Sequence, residues 1–264
     1  MTSKRNVYLK MKTLAEARAL LFDHFADCLI RDRETVAAPD AVGRVLAEAV
    51  SARLSSPHFH AAAMDGIAVR AEETFGASET RPVTLAIGAN AFFVNTGHVL
   101  PPETNAVIMI EQVVMAAEDR AVIEKPAFPW QNVRKTGEDI VATELLFPRN
   151  HVVTPYCLGA LLSGGVTTVA LRRRPRALII PTGSELVDCM QTPPEALLPG
   201  QVLETNSIVL GKLVEACGGV CTRHARMPDD PDAIGAVVRA AAAAADCDLI
   251  LTVGGSSAGT KDHA

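Results

Sequence analysis

The chain lacks any apolar run that approaches the ~20 residues needed to span a membrane, and residues 1–7 contain no apolar segment typical of a signal peptide. It also lacks an excess of positive charge. Its 25 Lys and Arg residues against 30 Asp and Glu residues give a net charge of −5, and the longest basic run is Arg172–Arg174. We therefore expect a cytoplasmic protein that binds neither membranes nor nucleic acid. An anionic ligand would have to be bound by local amides, single basic side chains or a metal ion.

Paired cysteine motifs are absent as well. The six cysteines are scattered, and Cys217 and Cys221 have no second pair to complete a zinc site. We interpret the cysteines as buried, reduced thiols of a cytosolic protein. His58 and His60 would share one strand face but have no third metal ligand nearby. The sequence also contains neither a G-x-S-x-G motif nor a P-loop lysine.

The length of 264 residues and the 48% hydrophobic content allow two or more domains. Apolar spacing predicts a helix over residues 14–28, with Thr13 and Glu16 as a capping box, and a second helix over residues 38–46. From residue 55 to residue 134, short β-type runs alternate with Pro and Gly, which predicts an inserted all-β module. These runs are Ile67–Val69, Val83–Ile87, Phe92–Val94, Ala106–Ile110 and Ala121–Ile123. A short helix over residues 154–163 and a strand over residues 166–171 follow.

An α/β alternation begins after the basic run. We predict strands over residues 177–180, 219–222 and 249–253, with helices over residues 206–216 and 231–245. Strands that alternate with helices of this length indicate a largely parallel sheet. Ligands of such sheets bind beyond the carboxyl ends of the strands. The overall prediction is a multi-domain α/β and β protein divided into residues 1–54 with 135–172, residues 55–134, and residues 173–264.

Two loops lie at such strand ends, and each carries a carboxylate. In Pro181–Glu185, hydroxyl and glycine amide groups can bind a phosphate, and Glu185 can hold a metal. The alternative is a helix N-cap with Glu in the first turn. In the Gly254–Asp262 loop, backbone amides can likewise bind an anion and Asp262 a metal. Its alternative is an ordinary βα turn that uses glycine for positive φ.

Three further loops carry polar residues that read as turns when taken alone. They contain Asp65 before a glycine, Thr96 before a glycine, and Asp139 after Gly137-Glu138.

Taken in order, these segments resemble the MoeA/gephyrin-type molybdopterin molybdenumtransferases over nearly the whole chain. The motifs that carry the resemblance are Ala41–Glu48, Ser56-Pro57, Ala63–Val69, Thr96-Gly97, Ala106–Glu111, Gly137–Ile140, Pro181–Leu186, Thr205–Ser207, Pro228–Asp230 and Gly254–Asp262. The segment Pro129–Arg134 is similar to a branch in which this part precedes a periplasmic-binding-protein-like domain. No such domain is present in this sequence.

The resemblance implies insertion of molybdate into adenylylated molybdopterin, with release of AMP and help from Mg²⁺. It further implies an elongated homodimer, in which residues 1–54 and 135–172 form the linker and dimerisation domain. The active cleft would lie between the α/β domain of one subunit and the β-insertion of the other. The implied catalytic residues are Asp65, Thr96, Asp139, Glu185, Asp229 (ambiguous with Asp230) and Asp262. The cofactor-binding residues are Thr182, Gly183, Ser184, Gly254, Gly255, Ser256 and Ser257, and the metal ligands are Glu185 and Asp262.

The sequence departs from the family in several places. Ile67 replaces the usual Tyr after Met-Asp-Gly, the stretch over residues 83–95 is shorter, and the glycine common after Asp139-Ile140 is missing. The later Lys/Pro/Gly-rich segments and the rest of the α/β layer are absent. We therefore expect an incomplete molybdopterin-binding domain and little molybdate insertion by this chain alone. The alternative is a non-catalytic module that binds molybdopterin or molybdate or serves as a scaffold.

Overall fold

The computed structural model describes residues 12–26, 30 and 32–254. Its helices are α1 (Leu14–Phe25), α2 (Pro155–Ser163), α3 (Asn206–Ala216) and α4 (Pro231–Ala244). The strands are β1 (Arg33–Ala37), β2 (Val50–Ser51), β3 (Ala61–Ala62), β4 (Gly66–Val69), β5 (Val83–Ala86), β6 (Ala91–Val94), β7 (Ala106–Met109), β8 (Val114–Ala117), β9 (Arg120–Ile123), β10 (Val133–Arg134), β11 (Leu145–Phe147), β12 (Thr168–Arg172), β13 (Arg176–Pro181), β14 (Leu186–Asp188), β15 (Val202–Glu204), β16 (Val220–Arg223) and β17 (Leu249–Val253).

The chain divides into two compact units. One consists of residues 35–171, and the other of residues 172–264 together with residues 1–34. The mixed α/β and β-rich, multi-domain class predicted from the sequence is confirmed. The three-part division of the chain stays a prediction.

The β-rich part of the first unit contains two antiparallel sheets of three strands, with the orders β6-β4-β7 and β5-β9-β8. Branched aliphatic side chains and alanines fill its core, including Ile67, Leu85, Ile108 and Ile123. The entry and exit segments of this part are paired with each other, since Ala62 of β3 lies opposite Val133 of β10. This pairing brings the two ends of the predicted insertion together.

A second core in this unit forms around α2 and β12, where Leu46, Leu161 and Leu171 are fully buried. Helix α2 begins one residue after the predicted start, with Thr154 as the N-cap that accepts a hydrogen bond from the amide of Cys157. The helix predicted over residues 38–46 is wrong. Only a 3₁₀ turn forms over Ala38–Ala41, and Gly43 then adopts φ +78°, so the chain turns out of the helix.

The second unit contains the predicted parallel sheet, with the order β16-β13-β17. Helix α3 spans the predicted residues, and α4 ends one residue earlier than predicted, with Ala245 in the left-handed region. The capping box of α1 is also confirmed: Thr13 accepts from the amide of Glu16, and Glu16 accepts from the amide of Thr13. Helix α1 nonetheless buries none of its residues, so its apolar side chains are uncovered within the described residues.

The cysteines differ from the prediction in one respect. The five cysteines within the described residues are free thiols, but only Cys157 is buried, and Cys217 is exposed. Cys28 lies outside the described residues. Among the residues that the structure places, no helix is long and apolar enough to cross a membrane.

Candidate functional site

The loop after β13 contains the first group of predicted site residues. It does not form the helix N-cap that was the alternative reading. Leu186–Asp188 is extended and pairs in parallel with β15 instead. The chain therefore continues as a strand, and the first helix of this layer is α3, which begins at Asn206.

Thr182 joins this loop to the end of β17. Its amide and its hydroxyl both donate to the carbonyl of Val253, at 2.9 and 3.0 Å. Gly254 follows with φ +117°, and a Cβ there would lie 2.7 Å from the carbonyl oxygen of Thr182. Only glycine fits this close approach. The start of the predicted second loop therefore lies beside the first, while Gly255, Ser256, Ser257 and Asp262 lie outside the described residues.

The next two amides of the loop are engaged inside the fold. The amide of Gly183 donates to the carbonyl of Met227 at 3.0 Å. The amide and hydroxyl of Ser184 both donate to Oδ2 of Asp229, at 3.1 and 3.3 Å. The sequence analysis proposed that the Gly183 amide binds an anion, but in this arrangement the amides of Gly183 and Ser184 are both taken up by protein acceptors. The amide of Glu185 is the one in this loop that has no partner among the described residues.

Asp229 and Asp230, which the sequence left ambiguous, have separate contacts. Asp229 accepts from Ser184, whereas Asp230 caps α4 by accepting from the amides of Asp232 and Ala233. The structure therefore places Asp229, and not Asp230, against the loop.

Glu185 is exposed, and its carboxylate lies over Gly183. A Cβ on Gly183, whose φ is +149°, would lie 2.9 Å from Oε1 of Glu185 and 2.8 Å from Cγ of Leu186. Mg²⁺ in proteins commonly takes one or two carboxylates and completes its shell with water and substrate phosphate. A single exposed carboxylate at this loop fits that pattern. Among the described residues no group of three His, Cys, Asp or Glu side chains can hold a metal by itself.

The first unit, residues 35–171, contains the other predicted site residues that the structure describes, and we call it the β-rich unit. Oδ1 of Asp65 accepts from the amide of Thr96 at 2.7 Å and from its hydroxyl at 3.0 Å. These two hydrogen bonds, the backbone one foremost, lower the pKa of Asp65 below its ordinary value. Gly66 begins β4 directly after Asp65, and a Cβ there would lie 1.9 Å from the carbonyl oxygen of Ile108. The glycine thus lets β7 approach and fixes the position of the aspartate.

Asp139 lies in the same unit, where the guanidinium of Arg134 donates to its Oδ2. Arg134 belongs to β10, which pairs with β3, and β3 ends three residues before Asp65. The amide of Gly97, next to Thr96, donates to the carbonyl of Ala62 in β3. The small β3–β10 ladder therefore supports both the Asp65–Thr96 pair and the Arg134–Asp139 pair.

Sequence reasoning missed a buried polar cluster next to β14, where Glu204 lies opposite Asp188. Glu204, 6% exposed, accepts from the amide and hydroxyl of Ser207, at 2.8 and 2.6 Å. Arg223 donates to Glu204 at 3.2 Å and to the Ser207 hydroxyl at 2.8 Å. The cluster joins the start of α3 to the end of β16. Its signal in the sequence was an acidic residue three positions before a serine at a helix start.

Comparison with known proteins decides the family. Residues 12–165 match the model of the MoeA N-terminal region (domain I and II), and residues 178–264 match that of a probable molybdopterin binding domain. The chain belongs to the MoeA family. The loop Pro181–Glu185 and the start of the second loop at Gly254 lie in the second match, and Asp65, Thr96 and Asp139 lie in the first.

Named relatives agree with this membership. The chain is 35% identical over 243 residues to molybdopterin molybdenumtransferase 2 of Mycobacterium tuberculosis, which covers 86% of this chain and 58% of that protein. It is 28% identical over 267 residues to molybdopterin molybdenumtransferase of Haemophilus influenzae, covering 96% of the chain and 63% of that protein. The MoeA-family chain thus spans about three fifths of the length of these relatives.

A solved structure shows the same fold. The molybdopterin biosynthesis MoeA protein of Pyrococcus horikoshii superposes with a TM-score of 0.77 and is 33% identical, over 88% of this chain and 66% of that one. The sequence resemblance to the MoeA/gephyrin-type family is therefore confirmed.

Proposed function

We propose that this MoeA-family chain binds molybdopterin at the loops after β13 and β17 and takes part in the insertion of molybdate into adenylylated molybdopterin. The observation that carries the proposal is the contact between Thr182 and Val253–Gly254. It brings the two loops together at the carboxyl end of a parallel sheet, where such sheets bind ligands. The match of residues 178–264 to a probable molybdopterin binding domain supports the same ligand.

The loop offers specific groups to that ligand. The free amide of Glu185 can donate to a phosphate oxygen, and the Ser184 hydroxyl can accept from the ligand while it donates to Asp229. Thr182 and Gly254 hold the loops close together, so their role in binding is to shape the site. Gly183 leaves room for the Glu185 carboxylate.

Mg²⁺, when bound at Glu185, would neutralise charge that develops on the phosphate oxygens as AMP leaves. Glu185 is the described residue that fits as its ligand, and Asp262 stays the predicted second one. The exposed carboxylate of Glu185 would otherwise repel an anionic substrate. This residue can therefore favour substrate binding only with a cation beside it.

In the β-rich unit, Asp65 is the strongest candidate for a charged group that acts on substrate. Thr96 occupies one of its oxygens and lowers the pKa of the carboxyl group, while Oδ2 has no hydrogen-bond partner among the described residues. Asp139 is held by Arg134 and so carries a compensated charge. The homodimer and the cytoplasmic location implied by the family stay predictions.

An AMP-release assay tests the reaction. Adenylylated molybdopterin is mixed with the full chain, molybdate and Mg²⁺, and the M. tuberculosis relative is assayed in parallel. We expect AMP release that requires molybdate, at a rate well below that of the relative. Glu185→Gln should reduce it at least ~10²-fold, since a carboxylate that holds a catalytic metal would be lost.

Two other results would change the account. Release at the relative's rate would contradict the expected low activity of this chain. Binding of molybdopterin with no AMP release would favour the non-catalytic module over the enzyme.

A further inference from the structure

Arg226 is not among the residues that the sequence analysis assigned to the site, yet it contacts the site loop directly. Its Nη1 donates to the carbonyl oxygens of Ser184, at 3.3 Å, and of Leu186. These two residues flank Glu185. One guanidinium nitrogen therefore bridges the backbone on both sides of the proposed metal ligand.

The segment around Arg226 holds the same loop at other points. The amide of Met227 donates to the carbonyl of Pro181 at 2.9 Å, and the carbonyl of Met227 accepts from Gly183 at 3.0 Å. Asp229 accepts from Ser184. The backbone from Pro181 to Leu186 is thus hydrogen-bonded to three residues of the segment that connects β16 to α4.

Met227 holds the loop through its backbone, and Asp229 contacts only Ser184. Arg226 differs because its side chain donates to the carbonyls of two loop residues. On the opposite side, the carbonyl of Glu185 accepts from the amide of Val202, at 3.0 Å. Backbone groups on both sides of Glu185 are therefore fixed, while its carboxylate stays exposed. Such an arrangement limits the motion of the main chain and leaves the functional group free to meet a ligand.

We propose that Arg226 is a positioning residue that orients Glu185 and the rest of the Pro181–Leu186 loop for molybdopterin. The inference rests on the proposed function, since the loop is taken as the molybdopterin site. Arg226 acts through backbone carbonyls and not as a charge that meets the ligand. Nη1 carries two N–H groups in the plane of the guanidinium, one for each carbonyl, and a lysine ammonium on its flexible stem does not hold its donors in this fixed plane.

The test compares Arg226→Ala and Arg226→Lys with the wild-type chain and with Arg239→Ala, a control at an exposed arginine on α4. Hydrogen–deuterium exchange measures the loop, anaerobic titration measures molybdopterin affinity, and thermal unfolding measures stability. We expect both Arg226 variants to exchange faster over residues 183–186 and to bind molybdopterin about tenfold more weakly, which corresponds to about 1.4 kcal/mol. The melting temperature should stay within a few degrees, and Arg239→Ala should match the wild type.

The lysine variant separates positioning from charge. Full rescue of affinity by Arg226→Lys while exchange over residues 183–186 stays raised would overturn the proposal, because the residue would then act on the ligand as a cation and not through the loop. Unchanged exchange over residues 183–186 in Arg226→Ala would also overturn it. If the wild-type chain binds no molybdopterin, the proposed function fails, while the exchange data still decide whether Arg226 holds the loop.

Discussion

At the scale of single residues, hydrogen bonds from Thr96 alter the pKa of Asp65. Because Thr96 donates two hydrogen bonds to Oδ1, the ionised carboxylate is favoured and its pKa is lowered. In Thr96→Val the hydroxyl donor is lost and the amide donor remains. We expect the Asp65 pKa to rise part of the way to its ordinary value, as measured by NMR titration of the carboxyl carbon. A pKa that does not move would show that the hydroxyl contact is not formed in solution.

Asp229 and Asp230 are neighbours with different tasks, which a matched pair of substitutions can separate. Asp230→Ala removes the cap of α4 and should cost about 1 kcal/mol of unfolding free energy in urea. Asp229→Ala frees the amide and hydroxyl of Ser184 and should instead weaken molybdopterin binding, with a stability change of about 0.5 kcal/mol or less. The reverse pattern would assign the site role to Asp230.

At the scale of elements, an ion pair anchors the start of β17. The guanidinium of Arg173 donates to both oxygens of Asp248, at 2.9 and 2.8 Å, and the amide of Arg176 donates at 2.7 Å. These contacts, with Arg173 foremost, lower the pKa of Asp248 from 3.8 to about 2. Asp248, at the start of β17, is thus bound both by Arg173 and by the first residue of the neighbouring strand β13. These contacts lie at the end of the strands opposite the site loops.

The lowered pKa fixes the direction of the pH dependence. Asp248 stabilises the fold fully above its ordinary pKa, and this contribution is lost as the pH falls from about 4 towards 2. Its size is about 1–2 kcal/mol once partial exposure is allowed for. We expect the stability gap between wild type and Asp248→Asn in urea to close over this range. Asp246→Asn is the control, and an equal gap at pH 6 and pH 2 would contradict the ion pair.

The elements that the sequence predicted well share one property: their local signals agree with their tertiary surroundings. Helix α2 has Thr154 as a cap and buries Leu161, and the apolar β13 is central in a parallel sheet. The helix expected over residues 38–46 was wrong because Gly43 leaves the helical region and the amide of Leu46 donates to the carbonyl of His151, outside any helix. The helix N-cap that was the alternative for the loop after β13 was wrong because β14 follows the loop and pairs with β15, a pairing that no local pattern contains.

The candidate site was predicted only in part because its hydrogen bonds join residues that are far apart in the sequence. Asp65, Thr96 and Glu185 stand in recognisable motifs, but their hydrogen-bond partners are distant in sequence. Ser184 and Asp229 are 45 residues apart, and Arg226 reaches Leu186 across 40 residues. Whether the Gly183 amide is free depends on the carbonyl of Met227, which the strand geometry places there. Such contacts follow from the fold and not from spacing along the chain.

At the scale of the whole molecule, the family resemblance predicts a homodimer. Light scattering coupled to size-exclusion chromatography measures this directly. We expect a mass of twice the 27.9 kDa of one chain. The mass of a single chain at high protein concentration would contradict the prediction.

Binding of molybdopterin by the loop after β13 is tested by an anaerobic titration of the full chain. Gly183→Ala is compared with Gly76→Ala. Both glycines have positive φ, but a Cβ meets Glu185 and Leu186 only at position 183, and nothing within 4 Å at position 76. We expect saturable binding by the wild type, unchanged affinity in Gly76→Ala and at least about tenfold weaker binding in Gly183→Ala. No saturable binding by the wild type, or equal affinities in all three proteins, would contradict it.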